Sequence, residues 1–534
     1  MLAKKNSRVA AVSVFGIAIA MVAAGCTPTG EAGPTDTALT IALADDYNTL
    51  DPALASTASG YSLLMALYDR LVVLDGEGRI APGLASEWEA APDKITFTLR
   101  DDITCSDGSD VTATQVATAI QRLADPETAS PHRNRTFGTG DVTVTGDDDA
   151  RSVTVENSLP FNDMILGLTA PWAGITCGTG NADPASLDVS PTGTGAYSLT
   201  SDGAMRGNQY TLERRDDYTG NPFGLNNEQL ASTLTYRVIA DPSTITNELL
   251  SGGLDLGAPL PSDYPALEAS SALSKSELAV NGSIFLYFRQ NDGAPLADAN
   301  VRKAITETFD LGEAVQVGSG GTGVQGPSWL APTVQCAGGT DDVLPTADTA
   351  RAEDLLTQAG YARGADGVWA RDGAPLTLTL VVAEEEGLGG EFIASEMTEF
   401  GIDLVIDQRT FGETLDTMAA SSNWDIGVFP YGPPIGTPSS ALGYFLSSGA
   451  TNWAGVNNPE FDALATQAIA AAPESDERCD LWQQAQASAV SNADLLPLWT
   501  PASFWFSSDA VVNPDDLRSP SGYSIDPTSI AVAE

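Results

Sequence analysis

The sequence predicts a multi-domain protein of the α/β class, and three observations carry that expectation. At 534 residues the chain is too long for a single hydrophobic core, so about two to four domains are expected. Its 43% hydrophobic and 18% charged residues, with a mean hydropathy near zero, suit a globular protein rather than a disordered or membrane-embedded one. Segments that alternate like strands are interleaved with helical stretches.

The first element is a targeting segment. Lys4, Lys5 and Arg8 precede an apolar run of 16 residues, Val9 to Ala24, and Gly25-Cys26 follows. The run is short of the roughly 20 residues that span a bilayer, and its basic flank marks a secretory signal. "VAAGC" at Val22–Cys26 resembles a bacterial lipobox. That implies a lipoprotein signal peptide over 1–25, a diacylglyceryl group on Cys26 and a flexible tether over 26–37. The competing reading is an ordinary signal peptide that ends near a Cys. Losing residues 1–25 removes three cations and no acid, so the net charge moves from −46 to −49.

"ALTIAL" from Ala38 reads as a strand, with a turn at Asp51-Pro52, and Tyr61–Leu71 reads as a helix. "KITFTLR" at Lys94–Arg100 alternates as a strand; Asp107-Gly108 turns, and Thr112 is placed to cap an amphipathic helix. "NWDIGVFPYGPPIGTPSS", Asn423 to Ser440, runs an apolar strand into a Gly/Pro turn that carries Phe429 and Tyr431 at its mouth. Trp424, Tyr444, Phe445 and Trp453 crowd the same span, and Trp499, Phe504, Trp505 and Phe506 crowd the C-terminal strand. Some of these rings belong to the core, because strands enrich aromatics. Tyr and Trp also offer apolar area with a hydrogen-bonding tip, which suits ligand capture.

Several functions are excluded. A charge of −46 is wrong for a nucleic-acid partner, which needs a basic face. His132 is the single histidine, in "ASPHRNR", and reads as a solvent-exposed loop residue; no G-x-S-x-G elbow marks a nucleophile. One imidazole does not make a zinc or nickel site, and "GDDDA" at Gly146–Ala150 lacks the pattern of a calcium loop and reads as a solvated turn. No metal and no cofactor are expected. "GSGGTG" at Gly318–Gly323 fits G-x-G-x-x-G, but a helical segment precedes it and "VQGPSWLAP" follows, so it reads as a flexible loop. "GTG" at Gly193–Gly195 reads as a tight crossing between lobes. Past the leader, Cys105, Cys177, Cys336 and Cys479 remain, an even number that allows three disulfide connectivities or leaves buried thiols.

A series of motifs then resembles a known family. Leu84-Ala85-x-x-Trp88, Phe97-x-Leu99-Arg100, Ser106-Asp107-Gly108, Thr112-Ala113 and Val116 open the series. "PTGTGAYSL" (Pro191–Leu199), "RVIADPSTITNELLSGGLDLG" (Arg237–Gly257) and "PLADANVRKAITETFD" (Pro295–Asp310) continue it. The segments Ala350–Leu380, Asn457–Ala472 and "LLPLWTPASFW" (Leu495–Trp505) complete it. Together they resemble the family 5 extracellular solute-binding proteins, the oligopeptide, dipeptide and nickel receptors of ABC importers, over nearly all of residues 38–534.

The resemblance implies a two-lobed periplasmic-binding-protein type II fold with an extra domain, lobes linked by chain crossovers and a ligand cleft between them. The first lobe would comprise 38–70, 195–283 and 496–534, the additional domain 71–194 and the second lobe 284–495. That division puts Cys105 with Cys177 and Cys336 with Cys479, which implies those pairings. It implies no enzyme but a monomeric receptor for a peptide or small-molecule ligand, exported and lipid-anchored outside the cytoplasmic membrane, delivering to a permease. Candidate ligand contacts are Tyr431, Gly432, Pro434, Trp424, Tyr444, Trp453 and Trp499. In peptide receptors of the family an Asp in this loop holds the ligand's α-ammonium; here Pro434 stands in its place, and no acid lies between Asp425 and Glu460. An oligosaccharide or other neutral polar solute is therefore the nearest alternative ligand. A secreted hydrolase on a binding-protein scaffold and a signalling lipoprotein are alternative roles.

Overall fold

The structure, a computed structural model, describes residues 37–534 apart from 77, 421, 434, 472–474 and 534, with the backbone alone at 385. The expected signal peptide, the lipidation site at Cys26, nearly all of the tether and Pro434 lie outside the described residues.

Two sheets organise two lobes. The first has seven strands in the order Leu273–Leu278, Ser503–Ser508, Leu256–Gly257, Ala38–Leu43, Thr233–Val238, Gln209–Arg214, Tyr197–Met205. Ala38–Leu43 runs parallel to Thr233–Val238 in the register Ala38↔Thr233 to Leu43↔Val238. Leu39, Ile41 and Leu43 are all buried, as an interior strand requires. The second sheet has five strands, in the order Asp403–Arg409, Thr377–Ala383, Ile426–Pro430, Ile284–Phe288, Leu495–Pro497. The chain passes from the first sheet to the second between Leu278 and Ile284 and returns between Pro497 and Ser503. These crossings touch: Ser283 Oγ and Thr500 Oγ1 share a hydrogen bond of 2.7 Å.

A third, antiparallel sheet holds Ala85–Ala91, Lys94–Leu99, Ser152–Asn157 and Val142–Asp147 in that order. The helix Ala113–Ala124 packs on it. Thr112 and Gln115 close a capping box at the helix start, and Val116, Ala117, Ile120, Leu123 and Ala124 form the buried face. The apolar core of this sheet is continuous with that of the seven-stranded sheet. Disulfides join Cys105 to Cys177 and Cys336 to Cys479.

Two local expectations are corrected. The helix expected at Tyr61–Leu71 runs from Ala58 to Leu67, because Thr57 caps it by accepting from Gly60 N, and the chain turns extended at Tyr68. There the backbone of Gly193–Gly195 presses on Leu67 and Tyr68 so closely that a Cβ at Gly195 would collide with Leu67. His132 is no surface residue: it is 2% exposed, its ring stacked on Trp172. Its polar neighbours in sequence concealed a ring that packs inward. "GSGGTG" follows the helix Leu311–Gly318 as a turn, with positive φ at Gly320 and Gly321.

Candidate functional site

One wall of the site rises from the five-stranded sheet. The strand Ile426–Pro430 carries Phe429 into the core and releases the chain at Tyr431, which is half-buried. The Tyr431 ring stacks on Phe429 at 6.3 Å and meets Tyr444 edge-on at 6.0 Å, and Tyr444 meets Trp453 edge-on at 5.4 Å. Tyr431 donates to Ser440 Oγ at 2.9 Å, so its ring is held at both ends. Burial pushes the Tyr431 phenol well above its ordinary pKa, so it stays a neutral donor.

Behind Arg135 lies a second aromatic cluster that is core rather than wall: Tyr61, His132 and Trp172, from three separate segments, are 6%, 2% and 1% exposed. Trp172 and His132 stack at 4.3 Å and 2°, and Tyr61 meets both rings edge-on at 6.0 and 6.2 Å. His132 Nε2–H donates to the Ala55 carbonyl at 2.6 Å, which leaves Nδ1 buried without a partner among the described residues. Burial, helped by the charge of Arg135, lowers the His132 pKa to about 3; burial raises that of Tyr61 to about 12.

Arg135 lies between the half-buried wall and the buried cluster. Its guanidinium lies 5.7 Å over the Trp172 ring, and its charge reaches Tyr61 and His132 on one side and Tyr431 and Tyr444 on the other. Among the described residues it makes no hydrogen bond and no ion pair. Arg133, two positions earlier, is satisfied by the carbonyls of Ala124 and Gly140.

The structure brings some of the sequence candidates together and not others. Tyr431, Tyr444 and Trp453 form one half-buried aromatic wall. Gly432 faces Tyr523, where a Cβ would fall 2.8 Å from Cε2. Trp424 and Trp499 are 1% exposed and belong to apolar cores: Trp424 stacks on Tyr287, while Trp499 packs against Gly318 and Gly389. Beyond Pro434, Ile435 is 2% exposed in the core shared by the seven-stranded and antiparallel sheets, so this loop reaches out of the second lobe. Sequence reasoning missed Arg135 and Tyr523. One signal was available: residues 128–140 hold two Arg and no acid in a chain with 71 acids.

The His132 environment makes a prediction. A folded pKa near 3 against an ordinary 6.5 means that the unfolded chain takes up this proton first. The stability that neutral His132 contributes is complete above pH 6.5 and is lost as pH falls toward 3. His132→Phe should flatten this part of the pH dependence in chemical denaturation between pH 7 and pH 4; an unchanged difference from wild type would refute the assignment.

Among the described residues no helix is long and apolar enough to cross a membrane, and no group of His, Cys, Asp and Glu is arranged to hold a metal ion. Residues 79–453 match the model of the bacterial extracellular solute-binding proteins, family 5 middle. The periplasmic murein peptide-binding protein MppA of Escherichia coli K12 is 25% identical over 89% of this chain and 90% of its own. A substrate-binding protein from Microbacterium hydrocarbonoxydans, solved with 4-hydroxybenzoate hydrazide, superposes with TM-score 0.76 at 26% identity, covering 93% of this chain and 100% of that one. A dipeptide-binding protein from Pseudoalteromonas sp. SM9913, solved with Met-Leu, superposes with TM-score 0.78 at 19% identity, with the same coverage.

Proposed function

Because the chain belongs to family 5 of the bacterial extracellular solute-binding proteins, we propose that it is the capture component of an importer, trapping a peptide between its lobes for an ABC-transporter permease. Arg135 is the observation that carries the ligand class. A half-buried guanidinium that makes no hydrogen bond or ion pair among the described residues is free to give a peptide carboxylate two parallel hydrogen bonds. The half-buried rings of Tyr431, Tyr444 and Trp453 would add apolar area without demanding one side chain. A solute touching both lobes stabilises the closed form more than the open one, which shifts the hinge equilibrium. Capture of this kind needs no nucleophile and no cofactor, in keeping with a receptor rather than an enzyme, and one chain supplies both lobes, in keeping with a monomer.

The lobe boundaries fall at 38–70, 195–283 and 496–534 for the first lobe and 284–495 for the second, with 71–194 as the additional domain. A second reading is a small aromatic acid or hydrazide, favoured by the Microbacterium relative with its bound hydroxybenzoate hydrazide. Fluorescence titration separates these readings. Saturable quenching by a defined set of free-acid dipeptides and tripeptides is expected; quenching by aromatic hydrazides or by sugars alone would overturn the peptide assignment. Mass spectrometry of solute that copurifies with the protein gives the same answer independently.

We place the receptor on the outer side of the cytoplasmic membrane, held by a lipid on Cys26. Cys26→Ser should move the protein from the detergent phase to the aqueous phase in a detergent-partition experiment. Aqueous partitioning of the wild type would rule out the anchor.

A further inference from the structure

The smaller antiparallel domain, whose core runs on into that of the first lobe, is joined to the second lobe by a carboxylate that the aromatic wall does not use. Asp163 precedes the short helix Met164–Gly167, and its Oδ1 accepts from Arg478 Nη2. Its Oδ2 accepts from Thr437 Oγ1 at 2.6 Å and from Ser439 Oγ. All four side chains are buried: Asp163 is 4% exposed, Arg478 3%, Thr437 3% and Ser439 6%. The neighbouring Asn162 Nδ2 donates to the carbonyls of Ile469 and Ala471, at the C-terminal end of the helix Pro459–Ala470. One dipeptide from the smaller antiparallel domain therefore engages three separate segments of the second lobe.

These contacts run on to the aromatic wall. Thr437, held by Asp163, offers its carbonyl to Ser440 Oγ at 2.5 Å, and Ser440 Oγ accepts from the Tyr431 hydroxyl at 2.9 Å. When Asp163 meets Thr437, the hydrogen-bonded turn that fixes Tyr431 is completed from the opposite lobe. A dry carboxylate with a guanidinium and two hydroxyls has every strong partner it needs only while the lobes are together; on opening, both charges must be rehydrated.

We propose that Asn162-Asp163 is an interlobe latch, and that Asp163 is a positioning residue coupling lobe closure to the orientation of Tyr431. The latch goes beyond the ligand reading and does not depend on it. It predicts that the closed form carries its own stabilisation, added to whatever the solute contributes.

The test uses the protein with no solute added, so it stands or falls separately from the peptide assignment. Small-angle scattering reads lobe separation, and hydrogen exchange reads the amides of Ser439 and Ser440, which donate to Thr437 Oγ1 and Thr437 O. Asp163→Asn should enlarge the radius of gyration and speed exchange at these amides by about tenfold or more. The double variant D163N/R478M removes both charges at similar volume, so it guards against misfolding from an unpaired buried guanidinium; it should open the protein in the same way. Thr437→Val, which keeps shape and loses the hydroxyl, should also open it, whereas Thr437→Ser should behave as wild type. Thr437→Val also removes the hydroxyl that caps its own turn, so the double variant, which leaves Thr437 untouched, separates the latch from that local cap. Unchanged scattering and exchange in D163N/R478M would overturn the latch.

Discussion

Arg135→Gln should weaken the binding of a free-acid peptide by about 10- to 100-fold, the range for losing a charge-assisted hydrogen bond. Folding should be preserved, because Arg135 bonds to nothing else among the described residues. The same peptide with an amidated C-terminus offers no carboxylate, so wild type and variant should bind it equally weakly. Arg135→Lys should fall in between: it keeps a cation but loses the planar fork and its stacking on Trp172. Calorimetric titration of the three proteins with the acid and the amide decides the matter. Wild type binding the amidated peptide as tightly as the acid would remove Arg135 from the site.

Trp499→Ala should destabilise the protein by about 3–5 kcal/mol, the usual cost of emptying a large aromatic site in a packed core. Trp499 is 1% exposed, and the backbones of Gly318 and Gly389 come so close to its ring that neither tolerates a Cβ. No side chain can swing in to fill the space, so relaxation is limited. Denaturant titration should show a lower midpoint. Binding measured well below that midpoint should match wild type, because the ring faces the core of the five-stranded sheet. A large loss of affinity with little loss of stability would return Trp499 to the ligand wall.

Trp499 and Tyr431 show how far a sequence can be read. Both stand among aromatics near strand ends, and residue type alone does not separate them. Trp499 is closed in by helix residues from far along the chain, Gly318 and Gly389, while Tyr431 follows Pro430 where the strand ends and stays half-buried. The glycines of "GSGGTG" carry a similar lesson. Gly318 is there to admit the Trp499 ring, a reason visible only once residues some 180 positions apart are in contact.

The acid question at Pro434 was also legible only in part. The loop holds no carboxylate of its own, yet one arrives from Asp163, 274 positions before Thr437, already paired with Arg478. A ligand ammonium would find that acid occupied.

What the sequence determined alone was local and periodic. The strand at Ala38–Leu43, the cap at Thr112, the strand that ends at Pro430 and the Gly/Pro turn after it follow from residue choices within a few positions, as does the order of motifs that marks the family. Tertiary structure decided which rings are buried and which half-buried, that His132 is buried, and that Arg135 has no hydrogen-bond or ion-pair partner among the described residues. Each of these depends on what another segment, often hundreds of residues away, places against the side chain. Burial and pairing are properties of the packed neighbourhood, and no window of sequence contains that neighbourhood.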